Sequence, residues 1–300
     1  MNKREISKRT RFRLKGVTMK KYHFARTSLS CLLCLVVLSA GCCINVGGCF
    51  MRAKYERTLQ LSAPLSPGST FEAQTHNGSI TIEGADVSEC SLTATIVTRA
   101  ATVEEAQELS DKVNVTLVPS GNRLTVKIDK PTNLINKSVS VSLDAQVPNE
   151  TDLQLVTHNG AVEISDIIGR LDANTHNGKV VCERISGATA LETHNGSVAC
   201  YEISGDAKLK SHNGDVKAFY SSKAPSICDI SMVTYNGGIE LQTPPNFSAK
   251  IDASTHNGSI NTNLPITVSG KISKNELTGT IGTGEGRLHL ETHNGSINLL

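Results

Sequence analysis

Three consecutive segments decide the fold: residues 155–172 read LVTHNGAVEISDIIGRLD, residues 173–190 read ANTHNGKVVCERISGATA, and residues 191–208 read LETHNGSVACYEISGDAK. They are equal in length, and their shared pattern recurs at every eighteenth position. A fixed period of about 20 residues is typical of repeat architectures, in which each unit stacks on its neighbours. The repeat therefore takes precedence over any single-site motif in predicting the structure.

The motif Thr-His-Asn-Gly recurs along most of the chain. Later copies are separated by 23, 21 and 37 residues, which indicates insertions between the later units. Seven of the nine histidines belong to the motif. Its copies, including the variants Ser-His-Asn-Gly and Thr-Tyr-Asn-Gly, begin at Thr75, Thr157, Thr175, Thr193, Ser211, Thr234, Thr255 and Thr292.

Apolar residues alternate with polar ones on both sides of Asn-Gly, which predicts two short strands and two turns per repeat. Two architectures fit. Asn-Gly is a strong signal for a type I′ hairpin and hence for an antiparallel meander. Alternatively, each repeat is one coil of a β-solenoid, with identical residues stacked about 4.8 Å apart. Identity at equivalent positions, even in the turn, favours the solenoid.

The region before the main repeat predicts a mixed α+β segment. Alternation indicates strands at 91–98, 115–118, 124–128 and 139–147. Thr102-Val103-Glu104-Glu105 has the form of a capping box, so a helix is expected from there to Val113. We expect this segment to cover one end of the solenoid. At the other end, either residues around 270–286 fold over the open edge, or the C-terminal strand that finishes at Leu300 is available to a partner.

The motif Asn77-Gly78-Ser79-Ile80 and its later copies resemble a bacterial family of proposed adhesin domains of unknown function, related to adhesin heads built on repeated NG-x-[IV] rungs. The resemblance covers Phe71 to Gly84 and continues from Val147 to Leu300. It implies an all-β, right-handed β-solenoid; the handedness comes from the resemblance alone. It implies no particular ligand.

The amino terminus is predicted to be an export signal. Residues 1–41 hold ten Lys or Arg and one acid, and an apolar run, Leu29–Leu38, leads to Ser39-Ala40-Gly41. Met19 is a possible alternative start. Leu38 to Cys42 resembles the lipobox of bacterial lipoproteins, which implies lipid attachment at Cys42 and a membrane partner. The predicted organisation is a signal peptide at 1–41, a lipidated tether at 42–52, a first rung with the capping segment at 53–150, and the solenoid at 151–300.

Charge and composition exclude several classes of function. Removing the amino-terminal segment leaves 20 basic and 27 acidic residues, a net charge of −7, so no basic surface for nucleic acid is expected. Aromatic residues make up 4% of the chain and Trp is absent, which argues against a large aromatic-lined groove. We find no GxSxG, HExxH, Walker or EF-hand motif. Asp166, Asp172, Asp206 and Asp215 lie at different repeat positions, so no carboxylate pair is predicted.

The histidine column is the one set of residues that suggests chemistry. If Leu faces inward, His faces outward, and stacked imidazoles offer either transition-metal ligands or a pH-sensitive surface. The alternative is ordinary packing before a turn, which Tyr235 at the same position favours. Asn and Gly are assigned to positive φ in the turn, and the stacked side-chain amides of Asn are expected to satisfy one another along the turns. Cys182 and Cys200 are close enough for a disulfide, but free buried thiols are preferred.

These observations predict no catalytic residue, no cofactor and no metal site. The expected function is a non-enzymatic cell-envelope lipoprotein, at the outer membrane or cell surface, whose repetitive surface binds a glycan, envelope polymer or protein. The alternatives are an assembly module that pairs through its C-terminal solenoid edge, and a polysaccharide-acting enzyme.

Overall fold

The computed structural model describes residues 35–37 and 53–300, and in them it contains one helix and twenty-four strands. The first part of the chain forms β1 (Leu35–Val37), β2 (Ala53–Pro64), β3 (Ser69–Asn77), β4 (Ile80–Ala85), β5 (Glu89–Ala100), α1 (Val103–Asp111), β6 (Asn114–Ser120), β7 (Arg123–Asp129) and β8 (Ser138–Pro148). The repeats form β9 (Thr151–Asn159), β10 (Val162–Ile168), β11 (Leu171–Asn177), β12 (Val180–Ser186), β13 (Thr189–Asn195), β14 (Val198–Ile203), β15 (Ala207–Asn213) and β16 (Val216–Tyr220). The last part forms β17 (Asp229–Asn236), β18 (Ile239–Gln242), β19 (Ala249–Asn257), β20 (Ile260–Thr262), β21 (Ile266–Ile272), β22 (Glu276–Ile281), β23 (Gly286–Asn294) and β24 (Ile297–Leu299).

The strands form two facing sheets of twelve, which we call sheet I and sheet II. Sheet I runs β1-β2-β5-β8-β4-β10-β12-β14-β16-β18-β24-β20, and sheet II runs β21-β22-β19-β23-β17-β15-β13-β11-β9-β3-β7-β6. Each coil consists of one strand of sheet II, an Asn-Gly turn and one strand of sheet I. Successive coils pair in parallel with equivalent residues opposite each other, for example Thr175 with Thr193 and Cys182 with Cys200. The β-solenoid prediction is confirmed, and the meander is excluded.

The core lies between the sheets and follows from the alternation in the sequence. Leu155 and Leu191 point inward from sheet II, and Val162 and Val198 from sheet I, each at most 1% exposed. Asp166, the second of the two residues between the buried Ile164 and Ile167, takes a left-handed φ of 61°. This backbone bend lets both isoleucines face the core, and it repeats at Arg184 and Glu202. These corners were not predicted from the sequence.

The predicted capping segment is present at the amino-terminal end. The Thr102 hydroxyl caps α1 by accepting a hydrogen bond from the Glu105 amide at 3.2 Å. Strands β5 and β8 pair antiparallel and extend sheet I, while the β6–β7 hairpin extends sheet II. The coil formed by β3 and β4 is an internal coil of the stack. Strand β3 lies between β7 and β9 in sheet II, and β4 lies between β8 and β10 in sheet I.

The carboxyl-terminal coil is also inserted inside the stack, so the expectation of a C-terminal edge strand ending at Leu300 is wrong. After β18 the chain passes over one coil position to form β19 and β20. It then makes the β21–β22 hairpin and returns, placing β23 between β17 and β19 and β24 between β18 and β20. Leu299 pairs with Leu241 and Thr262 and is 1% exposed. Pairing through this strand is therefore blocked on both sides. Residues 266–281 cover the edge of β19, in agreement with the first alternative from the sequence.

No helix in the described part of the chain is long and apolar enough to span a membrane. The predicted signal peptide, apart from the short strand β1, and the predicted tether lie outside the described residues, as does Cys42.

Candidate binding surface

One continuous stack of aromatic rings runs along the exposed side of sheet II. Neighbouring ring centroids are 4.6–5.1 Å apart and the ring planes differ by 2–5°. Eight rings on strands that follow one another at the ordinary strand spacing make an array about 33 Å long. We call it the ring ladder; in spatial order it consists of His76, His158, His176, His194, His212, Tyr235, His293 and His256.

The position of each ring follows from strand alternation next to the Asn-Gly turn. The preceding threonine points inward, and its hydroxyl donates to a glycine carbonyl of the adjacent coil, as Thr175 does to Gly160 at 3.0 Å and Thr193 to Gly178 at 2.9 Å. The histidine must then point outward, where His176 and His194 are exposed. The predicted orientation of the column is confirmed.

The asparagines form a second ladder beside the rings. Each side-chain amide donates to the side-chain carbonyl of the next asparagine, as in Asn177 to Asn159 at 2.7 Å and Asn195 to Asn177 at 2.8 Å. The same bond links all eight motif asparagines, and the final amide, on Asn77, donates to the Val139 carbonyl. Because every amide donates in the same direction, the asparagine ladder holds successive turns at one spacing. The rings next to the turns are therefore held at that spacing too. Mutual satisfaction of these amides was predicted from the sequence.

The reason for glycine in the motif differs from the sequence-based explanation. The motif asparagines do not have positive φ, and of the motif glycines only Gly78 does. Glycine is required instead by close approach of the neighbouring coil. A Cβ on Gly178 would stand 2.5 Å from the carbonyl carbon of Gly160 and closer still to its oxygen. The turn is therefore a tight corner between parallel coils and not a type I′ hairpin.

Two rings of the ladder, His194 and His76, have a lowered pKa. The pKa of His194 is lowered from its ordinary value, first by partial desolvation in the stack and then by the positive charge that His212 and His176 carry when protonated. The pKa of His76 is lowered by desolvation, by Lys130 and by His158. The exposed edges of neutral rings each offer one hydrogen-bond donor and one acceptor, while their faces are covered by neighbouring rings.

The ladder geometry does not favour metal chelation. In parallel rings 4.7 Å apart, such as His176 and His194, the lone pairs of neighbouring nitrogens point in the same direction and do not converge on one ion. Zinc requires Zn–N distances of about 2.0–2.1 Å from several converging ligands. Within residues 35–37 and 53–300, no group of three or more His, Cys, Asp or Glu is placed to hold a metal.

Residues 72–300 match the family described as Toastrack DUF4097. The chain belongs to the Toastrack DUF4097 family. This agrees with the resemblance to proposed adhesin domains of unknown function. A search of the curated proteins finds no significant match.

Solved structures similar to this Toastrack chain include a proposed cell adhesion protein from Clostridium sporogenes, with 12% identity, a TM-score of 0.36, and coverage of 80% of this chain and 97% of that one. A proposed adhesin from Bacteroides fragilis has 10% identity and a TM-score of 0.34, with coverage of 81% and 97%. A proposed lipid-binding protein from Parabacteroides distasonis has 10% identity and a TM-score of 0.27, with coverage of 83% and 97%. At these values no residue role is transferred to the Toastrack chain.

The four aspartates singled out in the sequence lie apart, and three of them have structural partners in the Toastrack coils. Asp166 holds Arg184 of the next coil through bonds of 2.6 and 2.8 Å, which lowers the pKa of its carboxyl. Asp206 accepts from the amide of Asp229, and Asp215 from that of Gly238, each one coil away. These carboxylates therefore tie coils together.

The body cysteines of the Toastrack chain are buried free thiols, in agreement with the sequence-based preference. Cys182 and Cys200 lie opposite each other in adjacent coils, and burial raises the pKa of Cys200 well above its ordinary value, with Cys182 adding to the shift. Burial also raises the pKa of Cys90 to about 12. These thiols fill the core.

Proposed function

We propose that the protein is a non-enzymatic bacterial cell-envelope lipoprotein whose solenoid binds a glycan or another envelope polymer. The observation that supports this proposal is the ring ladder, which repeats an exposed ring at eight successive positions along sheet II. A polymer with repeating polar groups can contact several ring edges at once. Many weak, equivalent contacts on one rigid support give high avidity without a deep pocket.

The chemistry of the ladder points to polar recognition along ring edges. The stacked faces are occupied by neighbouring rings, so a sugar cannot lie flat on an internal imidazole. The edges carry nitrogen donors and acceptors, and Glu192 and Lys210, which are ion-paired at 3.1 Å, lie beside His194 and His212 on the same face. Hydroxyl-rich chains match this mixture of neutral and charged hydrogen-bonding groups.

A glycan array tests the binding surface when two matched double variants are compared. His194→Ala with His212→Ala removes a stacked pair from the ladder, whose centroids are 4.6 Å apart. Tyr201→Ala with Phe219→Ala removes the stacked pair that the same two coils carry on sheet I, at 5.4 Å. We expect the first variant to lose glycan binding and the second to keep it. Equal losses in both variants, or no binding by the wild-type chain, would exclude the ladder as a glycan surface.

The amino-terminal sequence supports export and anchoring, and we propose that lipidated Cys42 holds the protein at the outer membrane or cell surface, with residues 42–52 as the tether. Radiolabelled palmitate incorporation tests this, with Cys42→Ala as the variant and Cys43→Ala as the matched control. The label should be lost only in Cys42→Ala. Label retained by that variant would remove lipidation from the proposal.

A further inference from the structure

A cleft opens where the β6–β7 hairpin separates from the solenoid. Strand β7 pairs with β3 only from Thr70 to Ala73, whereas β6 and β7 stay paired as far as Asp129. Beyond Ala73, β3 continues to Asn77 along β9, so the end of β7 no longer covers it. The resulting cleft has a volume of about 710 Å³. This is within the range of small-molecule sites.

The cleft contains the end of the ring ladder. His76 stacks on His158 at 4.8 Å with planes 2° apart, and in the described part of the chain no ring stacks on its other side. Strand β7 is the next strand of sheet II on that side, and its Lys127 and Ile128 line the same cleft. A planar group placed there would extend the ladder by one ring. Internal rings of the ladder offer no such face, because both of theirs are covered.

Two lysines give the cleft its positive charge. Lys127 and Lys130 line it beside three histidine rings, and no carboxylate is among its lining residues in the described structure. The nearest acid along the strand, Asp129, lies 3.5 Å from Lys127, and both side chains are more than half exposed, so this pair neutralises Lys127 weakly. Lys130 carries no ion pair in the described residues and is close enough to affect the pKa of His76. The positive charge of the cleft contrasts with residues 42–300 as a whole, whose net charge is −7.

We propose that this cleft binds a planar aromatic anion, with its ring stacked on His76 and its acidic group held by Lys130 and Lys127. Stacking supplies the selectivity for a flat ring, and the two lysines supply the selectivity for negative charge. The site is separate from polymer binding along the ladder, because it uses the terminal ring face and not the ring edges.

Naphthalene-2-sulfonate is a suitable probe, with 2-naphthalenemethanol as the neutral flat control and cyclohexanesulfonate as the anionic control that is not flat. Nuclear magnetic resonance of the imidazole signals in the full-length chain locates the probe through its ring current. We expect saturable upfield shifts at His76, smaller ones at His158 and none at His256, which ends the other side of the ladder. Both control probes should bind at least ~3-fold more weakly.

Substitutions separate the two parts of the site. His76→Ala should weaken binding by ~5-fold or more, and His76→Tyr should retain it, since Tyr235 stacks within the same ladder. Lys130→Gln should weaken binding by ~2- to 5-fold and reduce its dependence on salt. Lys210→Gln, which changes a lysine on the same strand as His212 and outside the cleft, should leave binding unchanged.

Four results would each overturn the proposal: equal shifts at His76 and His256, unchanged affinity in His76→Ala, equal affinity for the three probes, or absence of saturable binding of naphthalene-2-sulfonate.

Discussion

Two consecutive glycines in one turn provide a sharp test of how the coils pack. A Cβ on Gly237 would stand 2.5 Å from the carbonyl carbon of Gly214 in the next coil, with the carbonyl oxygen closer still. A Cβ on Gly238 would meet nothing nearer than the Ser296 carbonyl oxygen, at 3.4 Å. Neither glycine has positive φ, so strain in the substituted backbone does not distinguish them.

The cost of Gly237→Ala can be worked out from the contacts that it disturbs. Relief of the overlap requires the neighbouring carbonyl to move by about 1 Å, and forcing extra volume into a packed site costs about 1–3 kcal/mol. The Gly214 carbonyl also accepts the Thr234 hydroxyl at 2.8 Å, and losing that bond costs about 1 kcal/mol more. We therefore expect Gly237→Ala to lower the free energy of unfolding by about 2–4 kcal/mol. Gly238→Ala should be neutral or should stabilise by less than about 1 kcal/mol.

Thermal unfolding and amide hydrogen exchange measure both effects. For a domain of this size the loss corresponds to a fall in Tm of roughly 5–15 °C. Because solenoid coils interact with their nearest neighbours, exchange should accelerate first in the coils containing Gly214 and Gly237. Equal stability of Gly237→Ala and Gly238→Ala would refute the argument from close approach.

Three further predictions follow from the asparagine ladder, the ring ladder and the buried core. Asn195→Ala removes two side-chain hydrogen bonds of 2.8 Å and should lower the free energy of unfolding by about 1–3 kcal/mol, measured by urea unfolding. Asn257→Ala removes one such bond and should be less destabilising. A larger loss of stability in Asn257→Ala than in Asn195→Ala would contradict the amide ladder. Because the pKa of His194 is lowered in the folded chain, the unfolded chain binds protons first on acidification. The urea concentration at the unfolding midpoint should therefore decrease as the pH is lowered from about 8 to about 5, and His194→Tyr should make this decrease smaller. A midpoint that does not change with pH would contradict this reasoning. Cys200 should resist iodoacetamide until the chain unfolds, and mass spectrometry that finds it alkylated in the native state, or linked to Cys182, would contradict its assignment as a buried free thiol.

The solenoid could be predicted from the sequence because its main signal is the regular repeat itself. The equal spacings between His158, His176 and His194, together with identical neighbours, favour coils stacked in register over a meander. The alternation of apolar and polar residues along each strand predicted which side chains face inward and which face outward, and so predicted the exposed histidine column. The capping box at Thr102 predicted the start of the one helix in the described part of the chain.

Features that depend on the neighbouring coil could not be predicted in this way. The need for glycine at position 178 arises from the carbonyl of Gly160, which lies a full repeat away in sequence but next to it in space. The spatial order of the last coils is also hidden, because the motifs around His256 and His293 are nearly identical and either fits the outer position. The long interval between them indicated an insertion but not the return of the chain into the stack.

The left-handed corners were missed for a related reason. Asp166, Arg184 and Glu202 share a position but not a residue type, and none is glycine. The recurring signal was the spacing of Ile164 and Ile167, two buried residues of the same strand that are three positions apart, with two residues between them. That break in alternation identifies a bend between them, since a regular strand would place the two on opposite faces.

The most direct test of the central claim, that stacked coils form one multivalent binding surface, is to change the number of coils. Deletion of Lys179–Gly196 removes one complete coil with one ladder ring, and duplication of the same segment adds one. Retention of the three chains on isolated bacterial cell envelopes should rise from the deletion to the wild type to the duplication, with all three remaining folded. Equal retention at all three lengths, or loss of folding on removal of a whole coil, would contradict the account.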